Sequence, residues 1–530
     1  DSEEVSIISA AVMPNSVFKR ISSGPSFLKL RPRFANAQLP TGPLVHPTPV
    51  VPSPLQFSIT HDGLVGESLD GRVYVMLTKG KVPPVGGPNW WKPEPFFALD
   101  VEAWKVGTPL LIADQADAMN EPLSSLDEGP WKAVAVFRGE NERSLLAVLG
   151  GLYSEAWTFE GSGSTAGTVH IPLSKKVPGR SWDEHKNLRL VEQSSPLLSE
   201  FYGYDIKHGA CVIVPDDYDP NRKEPYPVLY WIGGFGSDHY GGRSMKMYFT
   251  ASDFDDQICR VILNGQTHSG HHVFADSDNN GPRMKALVEE FIPFLEKEYN
   301  LGGSGDFRFL AGHSSGGWSA MWLQVQNPDF FNGVWSLAPN SVDFHYFQTA
   351  DLYADDANMY VDAQGAERPL ARFGETPVLW TRGFTAMDDV IKDGGQIGSF
   401  EWVFSPRGID GRPIPMFNHE TGEVDKAVIE HWKKYDIRKY LEENWEVLAP
   451  KLTNKINIVA GGLDTFYLEV SIIELNKFFQ EQNFDAMVSV IENGNHGDVF
   501  RTSVIRDIDE FIAKKLNLVR RQFKKSNYDQ

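Results

Sequence analysis

The second half of the chain alternates apolar strands with helices, and this alternation restricts the fold more than any other feature of the sequence. Uninterrupted apolar runs such as PVLYWIGG, CRVILNG and DFRFLAG alternate with segments in which apolar residues recur at helical spacing, as in MKALVEEFIPFLEKEY. A strand that is apolar on both faces needs cover on both sides. We therefore predict an α/β fold, with a mostly parallel central sheet and helices on both of its faces.

The 530 residues divide into three regions of different character, and their number allows about two or three domains. Residues 1–54 end in a proline-rich stretch and are expected to form an extended arm. Residues 55–195 carry short β-rich runs and a polar linker, which predicts a β-sandwich domain. Residues 196–530 hold the alternation, interrupted at about 340–451 by an aromatic-rich insertion. We expect this insertion to lie like a lid over the carboxyl ends of the strands, where such sheets bind ligands.

Charge and cysteine content exclude several classes of protein. The net charge of −20 argues against nucleic acid or an anionic membrane surface as the main partner, because both attract basic patches. The two cysteines, Cys211 and Cys259, are too few for a disulfide framework or a four-cysteine zinc site. They are either free thiols or one bridge.

The sequence contains no apolar run long enough to span a bilayer. The first residues are acidic where an export signal would be basic, and the chain begins without Met, which indicates a processed or trimmed start. The compartment stays open, with a periplasmic or secreted location favoured over a cytoplasmic one.

The segment FLAGHSSGGWSAM joins a predicted strand to a predicted helix through glycines and two adjacent serines. Gly312–Gly316 read G-x-S-x-G, which is typical of a nucleophile elbow in this context. The sharp turn requires small residues two positions before and after the nucleophile. Ser314 has glycine at both positions, whereas Ser315 would have His313 at one. We predict Ser314 as the nucleophile and the amide of Ser315 as an oxyanion donor. The alternative is a glycine-rich turn whose serines cap the helix.

A serine nucleophile needs a base to take its proton and an acid to orient that base. In α/β hydrolases these partners follow in the order serine, acid, histidine. KINIVAGGLDTF ends a predicted strand near Asp464, and AMVSVIENGNHGD ends the next near His496, both at the sheet edge that carries the elbow. We predict Asp464 as the acid and His496 as the base, with Asp498 and Asp485 as alternative acids. The competing interpretations are a helix cap for Asp464 and a surface loop for His496.

The second oxyanion donor is expected on the loop that follows an early strand. In PVLYWIGGFGSDH, Gly233 and Gly234 would let the backbone approach a substrate, and we assign the donor to the amide of Phe235. The alternative is a flexible loop after a buried strand.

Four stretches resemble the esterase D and enterochelin esterase-like group of α/β hydrolases, the Putative esterase family. They are YPVLYWIGGFGSDH, DSDNNGPRMKALVEEFIPFLEKEY, FLAGHSSGGWSAM with GVWSLAPN, and GLDTF with ENGNHGDVF. The resemblance runs from about Pro196 to Leu516 and leaves out the insertion. It implies an α/β-hydrolase fold and the triad and oxyanion roles assigned above.

The chain departs from this group at Gly233–Gly234, where members commonly have His-Gly, so a histidine that supports the oxyanion loop is missing. Enterochelin esterase-like proteins also carry a β-sandwich ahead of the hydrolase. The N-terminal domain is therefore expected to be an Ig-like sandwich, a likeness of architecture only.

A histidine-rich stretch, HSGHHVFADSD, has the crowding of a metal site. It follows a sheet strand and precedes a helix start, where the family lines its substrate cleft. We therefore favour a substrate-facing loop over a metal site or ordinary surface. The candidate substrate-binding residues are His268, His271, His272 and Asp276.

Aromatic residues form two further candidate features. Trp90 and Trp91 could make a sugar-stacking platform, although packing in a core or between domains is favoured. In the insertion, an aromatic wall for the cleft competes with a small core of the insertion itself. The residues concerned are Trp380, Phe400, Trp402 and Phe404. Of these, Trp380 is a further candidate for substrate binding.

These features together predict a serine hydrolase that cleaves a small-molecule carboxylic ester through an acyl-enzyme, with aryl and carbohydrate esters as candidates. The mechanism requires no metal or organic cofactor, and the oligomeric state is open. The alternatives are a serine peptidase or acyltransferase and a non-catalytic binding protein on the same fold. The N-terminal region is too short for the propeller of an oligopeptidase, and the ordered serine, aspartate and histidine disfavour a binding protein.

Overall fold

The computed structural model describes residues 53–518, with gaps at 84, 120, 140–150, 179–181, 183–184 and 250–251. The predicted arm of residues 1–54 lies outside the described residues except for its last two, which begin the first strand.

The β-rich region contains two sheets. Its strands are β1 (Ser53–His61), β2 (Ser68–Thr78), β3 (Phe96–Lys105), β4 (Leu110–Ile112), β5 (Asp117–Ala118), β6 (Trp131–Gly139), β7 (Leu152–Tyr153), β8 (Trp157–Phe159), β9 (Ala166–Leu173) and β10 (Lys175–Lys176). A three-stranded sheet has the order β4-β1-β9. A seven-stranded sheet has the order β10-β7-β6-β2-β3-β5, with β8 paired to β6.

Strand β2 shows how the β-rich region packs on both of its sides. Side chains of a strand point alternately to opposite faces. Val73 and Val75 belong to the core that this region builds for itself, whereas Tyr74 and Met76 belong to a core shared with the α/β region. The predicted β-rich N-terminal region is therefore present, and its Ig-like character stays a prediction.

The strands that follow are β11 (Leu188–Ser194), β12 (Lys207–Ile213), β13 (Val228–Ile232), β14 (Cys259–Leu263), β15 (Gln266–Thr267), β16 (Gly270–His271), β17 (Asp276–Ser277), β18 (Gly281–Pro282), β19 (Arg308–His313), β20 (Val334–Leu337), β21 (Pro369–Phe373), β22 (Thr376–Trp380), β23 (Ile456–Gly461) and β24 (Met487–Ile491). Eight of them form one sheet, in the order β11-β12-β14-β13-β19-β20-β23-β24. The strands from β14 to β24 in this order run parallel, and β11 and β12 pair antiparallel.

The helices are α1 (Pro196–Tyr202), α2 (Gly242–Phe249), α3 (Arg283–Ala286), α4 (Ile292–Tyr299), α5 (Ser315–Gln326), α6 (Thr381–Ile391), α7 (Gln396–Phe404), α8 (Lys426–Trp432), α9 (Ile437–Glu443), α10 (Trp445–Leu452), α11 (Glu469–Glu481) and α12 (Thr502–Leu516). Within the described part of the chain, no helix has both the length and the apolar character that a membrane span requires.

The central sheet is covered on both faces, which explains its continuous apolar strands. On β13, Tyr230 and Ile232 belong to one core, and Leu229 and Trp231 belong to another on the opposite face. The predicted α/β sheet with helices is therefore confirmed. Cys211 and Cys259, which the sequence left open, are both buried free thiols.

The insertion shares the core of the central sheet and also meets the β-rich region. Phe404 and Trp432 of the insertion lie in the same core as Tyr230. From the β-rich region, Arg72 Nε donates to the carbonyl of Val390 at 3.1 Å, and the hydroxyl of Tyr74 donates to the carbonyl of Ile391 at 2.9 Å. The last turn of α6 is thus fastened to the seven-stranded sheet.

Candidate active site

Ser314 stands on a sharp turn between β19 and α5. Its backbone has φ 58° and ψ −125°, a conformation that L-residues rarely adopt. A Cβ added to Gly312 would come within 2.1 Å of the carbonyl oxygen of Gly316, and one added to Gly316 would come within 2.1 Å of the carbonyl oxygen of Ile232. Both flanking positions therefore have to be glycine, which is the steric condition used to choose Ser314 over Ser315.

The hydroxyl of Ser314 has a partner that the sequence did not indicate. Ser314 Oγ donates to Oδ1 of Asn340 at 3.3 Å, and the backbone N–H of Asn340 donates to the Ser314 carbonyl at 3.2 Å. Asn340 comes just after β20, the strand beside β19, so the parallel register brings it to the elbow. Only 8% of Ser314 is exposed. Its hydroxyl donates to Asn340 rather than to His496.

Asp464 and His496 form a hydrogen-bonded pair at the same edge of the sheet. His496 Nδ1 lies 2.8 Å from Oδ2 of Asp464, and the carboxylate is fully buried. The other carboxylate oxygen accepts the N–H of Phe466 at 2.8 Å. Because a carboxylate only accepts hydrogen bonds, Nδ1 is the donor, and Nε2 of His496 is left as an acceptor for a proton.

The pair lies beside the elbow because β19, β23 and β24 are parallel and end at the same edge. His313, the residue before Ser314, makes the contact. Its ring centroid lies 4.6 Å from that of His496, and its Nε2 lies 3.0 Å from the carbonyl oxygen of His496. Burial, with a smaller contribution from His496, lowers the pKa of His313 well below its usual value. His313 is therefore a buried, neutral ring that packs against His496.

The insertion contacts the loop that carries Asp464. Arg372 Nε donates to the carbonyl oxygen of Asp464 at 3.0 Å, and Arg372 Nη2 lies 2.6 Å from Oε1 of Glu469. Arg372 is on β21, in irregular sequence that had no assigned role. It links the hairpin of the insertion to the loop that carries Asp464.

The two residues assigned to the oxyanion hole belong to segments that adjoin Ser314. Ser315 is the first residue of the twelve-residue helix α5, where backbone N–H groups are free to bind an anion. Phe235 follows β13, and a Cβ on its neighbour Gly234 would lie 3.1 Å from Cβ of Ser314. Glycine at 234 thus allows the loop to pass close to the elbow.

The histidine-rich loop is mostly buried and stabilised by its own hydrogen bonds. His271 Nδ1 accepts the N–H of Val273 at 3.2 Å, and His272 Nδ1 accepts the N–H of Phe274 at 3.1 Å. Burial lowers the pKa of His271 to about 3 and that of His272 well below its usual value. The ring of His271 also interacts with the backbone of Gly233, at the base of the oxyanion loop.

The other two candidates of this loop also have structural contacts. Asp276 Oδ1 accepts the N–H groups of Met284 and Lys285, at 2.7 and 3.1 Å, and so caps α3. His268 packs against Trp402 at 5.1 Å, and burial lowers its pKa to about 4. Among the described residues, no three histidines, cysteines or carboxylates are grouped to hold a metal ion. Substrate binding by this loop stays a prediction.

Two small cavities lie under the insertion, and one of them reaches Asn340, the hydrogen-bond partner of Ser314. This one is lined by Asn340, Trp318, Phe344, Phe347, Phe400 and Phe404. The other, which is the larger of the two, has walls that include Phe347, Phe384, Phe400, Met416 and Phe466. Phe400 and Phe404 thus line cavities, Trp402 is buried, and Trp380 precedes α6 with 42% of its surface exposed.

Comparison with known proteins agrees with this architecture. A family model described as "Putative esterase" matches residues 205–501, which is more than half of the chain. The chain belongs to this family, and its enzyme class is carboxylic ester hydrolase.

Three similar solved structures are distant in sequence. A ferulic acid esterase is 15% identical over 62% of this chain and 99% of its own, with a TM-score of 0.39. An S-formylglutathione hydrolase from Agrobacterium tumefaciens is 15% identical over 62% and 95%, with a TM-score of 0.38. Est1E from Butyrivibrio proteoclasticus is 13% identical over 62% and 99%, with a TM-score of 0.34. No curated protein matches the chain.

Proposed function

We propose that the chain hydrolyses carboxylic esters through an acyl-enzyme, with Ser314 as nucleophile, His496 as base and Asp464 as acid. The observation that carries the proposal is the buried Asp464–His496 pair, held at the sheet edge where Ser314 occupies its strained turn. Together they supply a base oriented by a carboxylate next to a hydroxyl, which is what activation of serine requires.

The reaction proceeds in two halves. Ser314 Oγ attacks the acyl carbon while Nε2 of His496 takes its proton, and the carbonyl oxygen becomes an oxyanion that accepts the N–H groups of Phe235 and Ser315. His496 then protonates the leaving alcohol as the C–O bond breaks. Water, deprotonated by His496, attacks the acyl carbon; the bond to Ser314 Oγ then breaks, His496 returns the proton to Oγ, and the acid is released.

Asn340 adds one step to this scheme. Because the Ser314 hydroxyl donates to Asn340 in the free protein, it has to turn from Asn340 towards His496 before attack. Catalytic hydrogen bonds are often long or misaligned without substrate, and bound substrate completes the alignment.

The walls of the cavities favour an ester with an apolar, aryl group over a carbohydrate ester. Phe347, Phe400, Met416 and Phe466 provide apolar surface but few groups that could bind sugar hydroxyls. The net charge of −20 also favours a neutral substrate over an anionic one.

We also propose that residues 196–530 are the catalytic domain, that residues 55–195 are a separate domain, and that residues 340–451 act as a lid. The contacts that support the lid are those of Asn340 with Ser314 and of Arg372 with Asp464. Both come from the insertion and end on a residue of the proposed triad.

A fluorophosphonate probe tests the proposal, because it phosphonylates only an activated serine. Wild-type protein and Ser315→Ala should be labelled, and Ser314→Ala should not. An unlabelled wild type would favour a non-catalytic binding protein. Rates on a p-nitrophenyl ester and on the matching anilide then separate an esterase from a peptidase, with the ester expected to be cleaved much faster.

A further inference from the structure

We infer that the β-rich region supplies part of the substrate-binding wall, through Trp90 and Trp91 on the loop between β2 and β3, and that these two rings select esters with a large planar aryl group. The inference rests on the proposed ester hydrolysis. It assigns specificity to a part of the chain outside the α/β sheet.

The loop is built to present the two rings in a defined place. Oδ1 of Asn89 accepts the N–H of Trp91 at 3.0 Å and that of Lys92 at 3.4 Å, which fixes the turn beneath both tryptophans. At the base of the loop, the N–H of Leu77 donates to the carbonyl of Pro95 at 2.9 Å. The rings therefore project from an anchored segment.

Trp90 reaches the oxyanion side of the site. Its ring lies 5.6 Å from the ring of Phe235, the proposed oxyanion residue, and 5.2 Å from that of Phe384 in edge-to-face geometry. Phe384 lines the larger cavity. Trp90 thus lies between the oxyanion loop and the cavity wall.

Trp91 reaches the side of the catalytic histidine. Its ring stacks 6.2 Å from Phe466 and lies 4.8 Å from Phe373 of the insertion. Phe466 also lines the larger cavity, and its ring meets that of His496 edge-on at 5.0 Å. Trp90 therefore contacts Phe235, the proposed oxyanion residue, and Trp91 contacts Phe466, which in turn contacts His496.

Packing against the core that the two regions share accounts for part of each ring. The two regions are already joined through Arg72, Tyr74 and the last turn of α6. Trp90 and Trp91 are only partly buried, so ring surface is left for a ligand. An aryl group favours such surface because aromatic rings attract each other beyond their burial.

The experiment compares Trp90→Ala and Trp91→Ala with Trp157→Ala, an exposed tryptophan on β8 of the same region. The substrates are methyl 2-naphthoate and 2-naphthyl acetate, which carry the aryl group on either side of the ester, and methyl butanoate as the small reference. Fluorophosphonate labelling reports on the triad in each variant, and the unfolding midpoint reports on the fold.

We expect Trp90→Ala or Trp91→Ala to lower kcat/KM about tenfold on one of the aryl esters, mainly through KM, with methyl butanoate and labelling little changed. Trp157→Ala should leave the aryl preference unchanged. Equal losses on aryl and small esters, or no loss, would overturn the inference.

Trp91→Phe keeps an apolar ring and provides a second test should the alanine variants unfold. It should lower the aryl preference by a smaller factor, and an unchanged preference would overturn the inference. A wild type that is not labelled and hydrolyses neither kind of ester would contradict the ester-hydrolase proposal itself.

Discussion

Two groups of residues in this chain have side chains suited to a reactive site, and they differ in burial and in their partners. The loop with His268, His271 and His272 is contiguous in sequence, whereas Ser314, Asp464 and His496 are far apart. The rings of the loop are largely enclosed, and burial lowers their pKa values. His496 instead keeps 12% of its side chain exposed and has a buried carboxylate as partner.

This difference shows what makes a histidine suitable as a base. His271 and His272 are buried without an opposite charge beside them, so they resist protonation and are poor proton acceptors at neutral pH. A carboxylate beside the ring favours the imidazolium that forms when the serine gives up its proton. Pairing and access to the cleft therefore distinguish the two groups, and crowding of histidines does not.

Removing the proposed base should have the largest effect. His496→Ala is expected to lower kcat on a p-nitrophenyl ester by about 10⁴-fold or more, because Ser314 loses its proton acceptor. His268→Ala, the matched change in the histidine-rich loop, should alter kcat much less. Steady-state rates of the two variants, each with a checked unfolding midpoint, test the comparison, and similar losses would break it.

Removing the charge of the proposed acid should have the next largest effect. Asp464→Asn keeps the shape of the side chain but no longer favours a donating Nδ1, and the expected loss in kcat is about 10⁴-fold. Asp498 is an alternative acid. It accepts the N–H of Asn495 at 2.8 Å and so stabilises the loop that carries His496. Asp498→Asn should cost far less, and a larger loss there would transfer the role of acid to Asp498.

The sequence was informative where a requirement was local or followed from the parallel sheet. The choice of Ser314 depended on two glycines within two residues, and that of Asp464 and His496 depended on strand ends that share one edge. Asn340 and Arg372 could not be found in this way. Their positions depend on the path of the insertion, which has no periodic pattern, and no signal in the sequence indicated them.

Burial was the other property that the sequence did not reveal. HSGHH has side chains suited to binding, but whether His271 and His272 face the cleft or the core depends on how the β15–β16 hairpin packs. Trp90 and Trp91 raise the same problem, since their contacts with Phe235 and Phe466 cross between regions. Residue type alone predicted the chemistry available, and packing decides which of it is accessible.

The buried histidines predict a pH effect on stability rather than on rate. His271 has a folded pKa of about 3, below the ordinary value of 6.5, so the unfolded chain binds its proton first as the pH falls. Stability from this residue is present above about pH 6.5 and is lost towards pH 3, at about 1.4 kcal/mol per pH unit. His271→Asn should therefore reduce the loss of unfolding free energy between pH 7 and pH 5 by about 2 kcal/mol. Urea unfolding at the two pH values measures this, and an unchanged loss would contradict it.

The smallest effect on activity is expected for a substitution of Trp380. Comparing it with a substitution of Phe400 tests whether enclosed aromatic residues matter more than exposed ones. With 42% of its surface in solvent and no part in the walls of the two cavities, Trp380→Ala should change kcat/KM for an aryl ester by less than about twofold and stability by at most about 0.5 kcal/mol. Phe400→Leu removes an aromatic ring that lines both cavities and should lower the preference for aryl esters. The ratio of kcat/KM for methyl 2-naphthoate to that for methyl butanoate tests both variants. A large drop in this ratio for Trp380→Ala, with no drop for Phe400→Leu, would contradict the prediction. It would mean that β22 moves over the cleft when substrate binds, and that Trp380 rather than Phe400 contacts the aryl group.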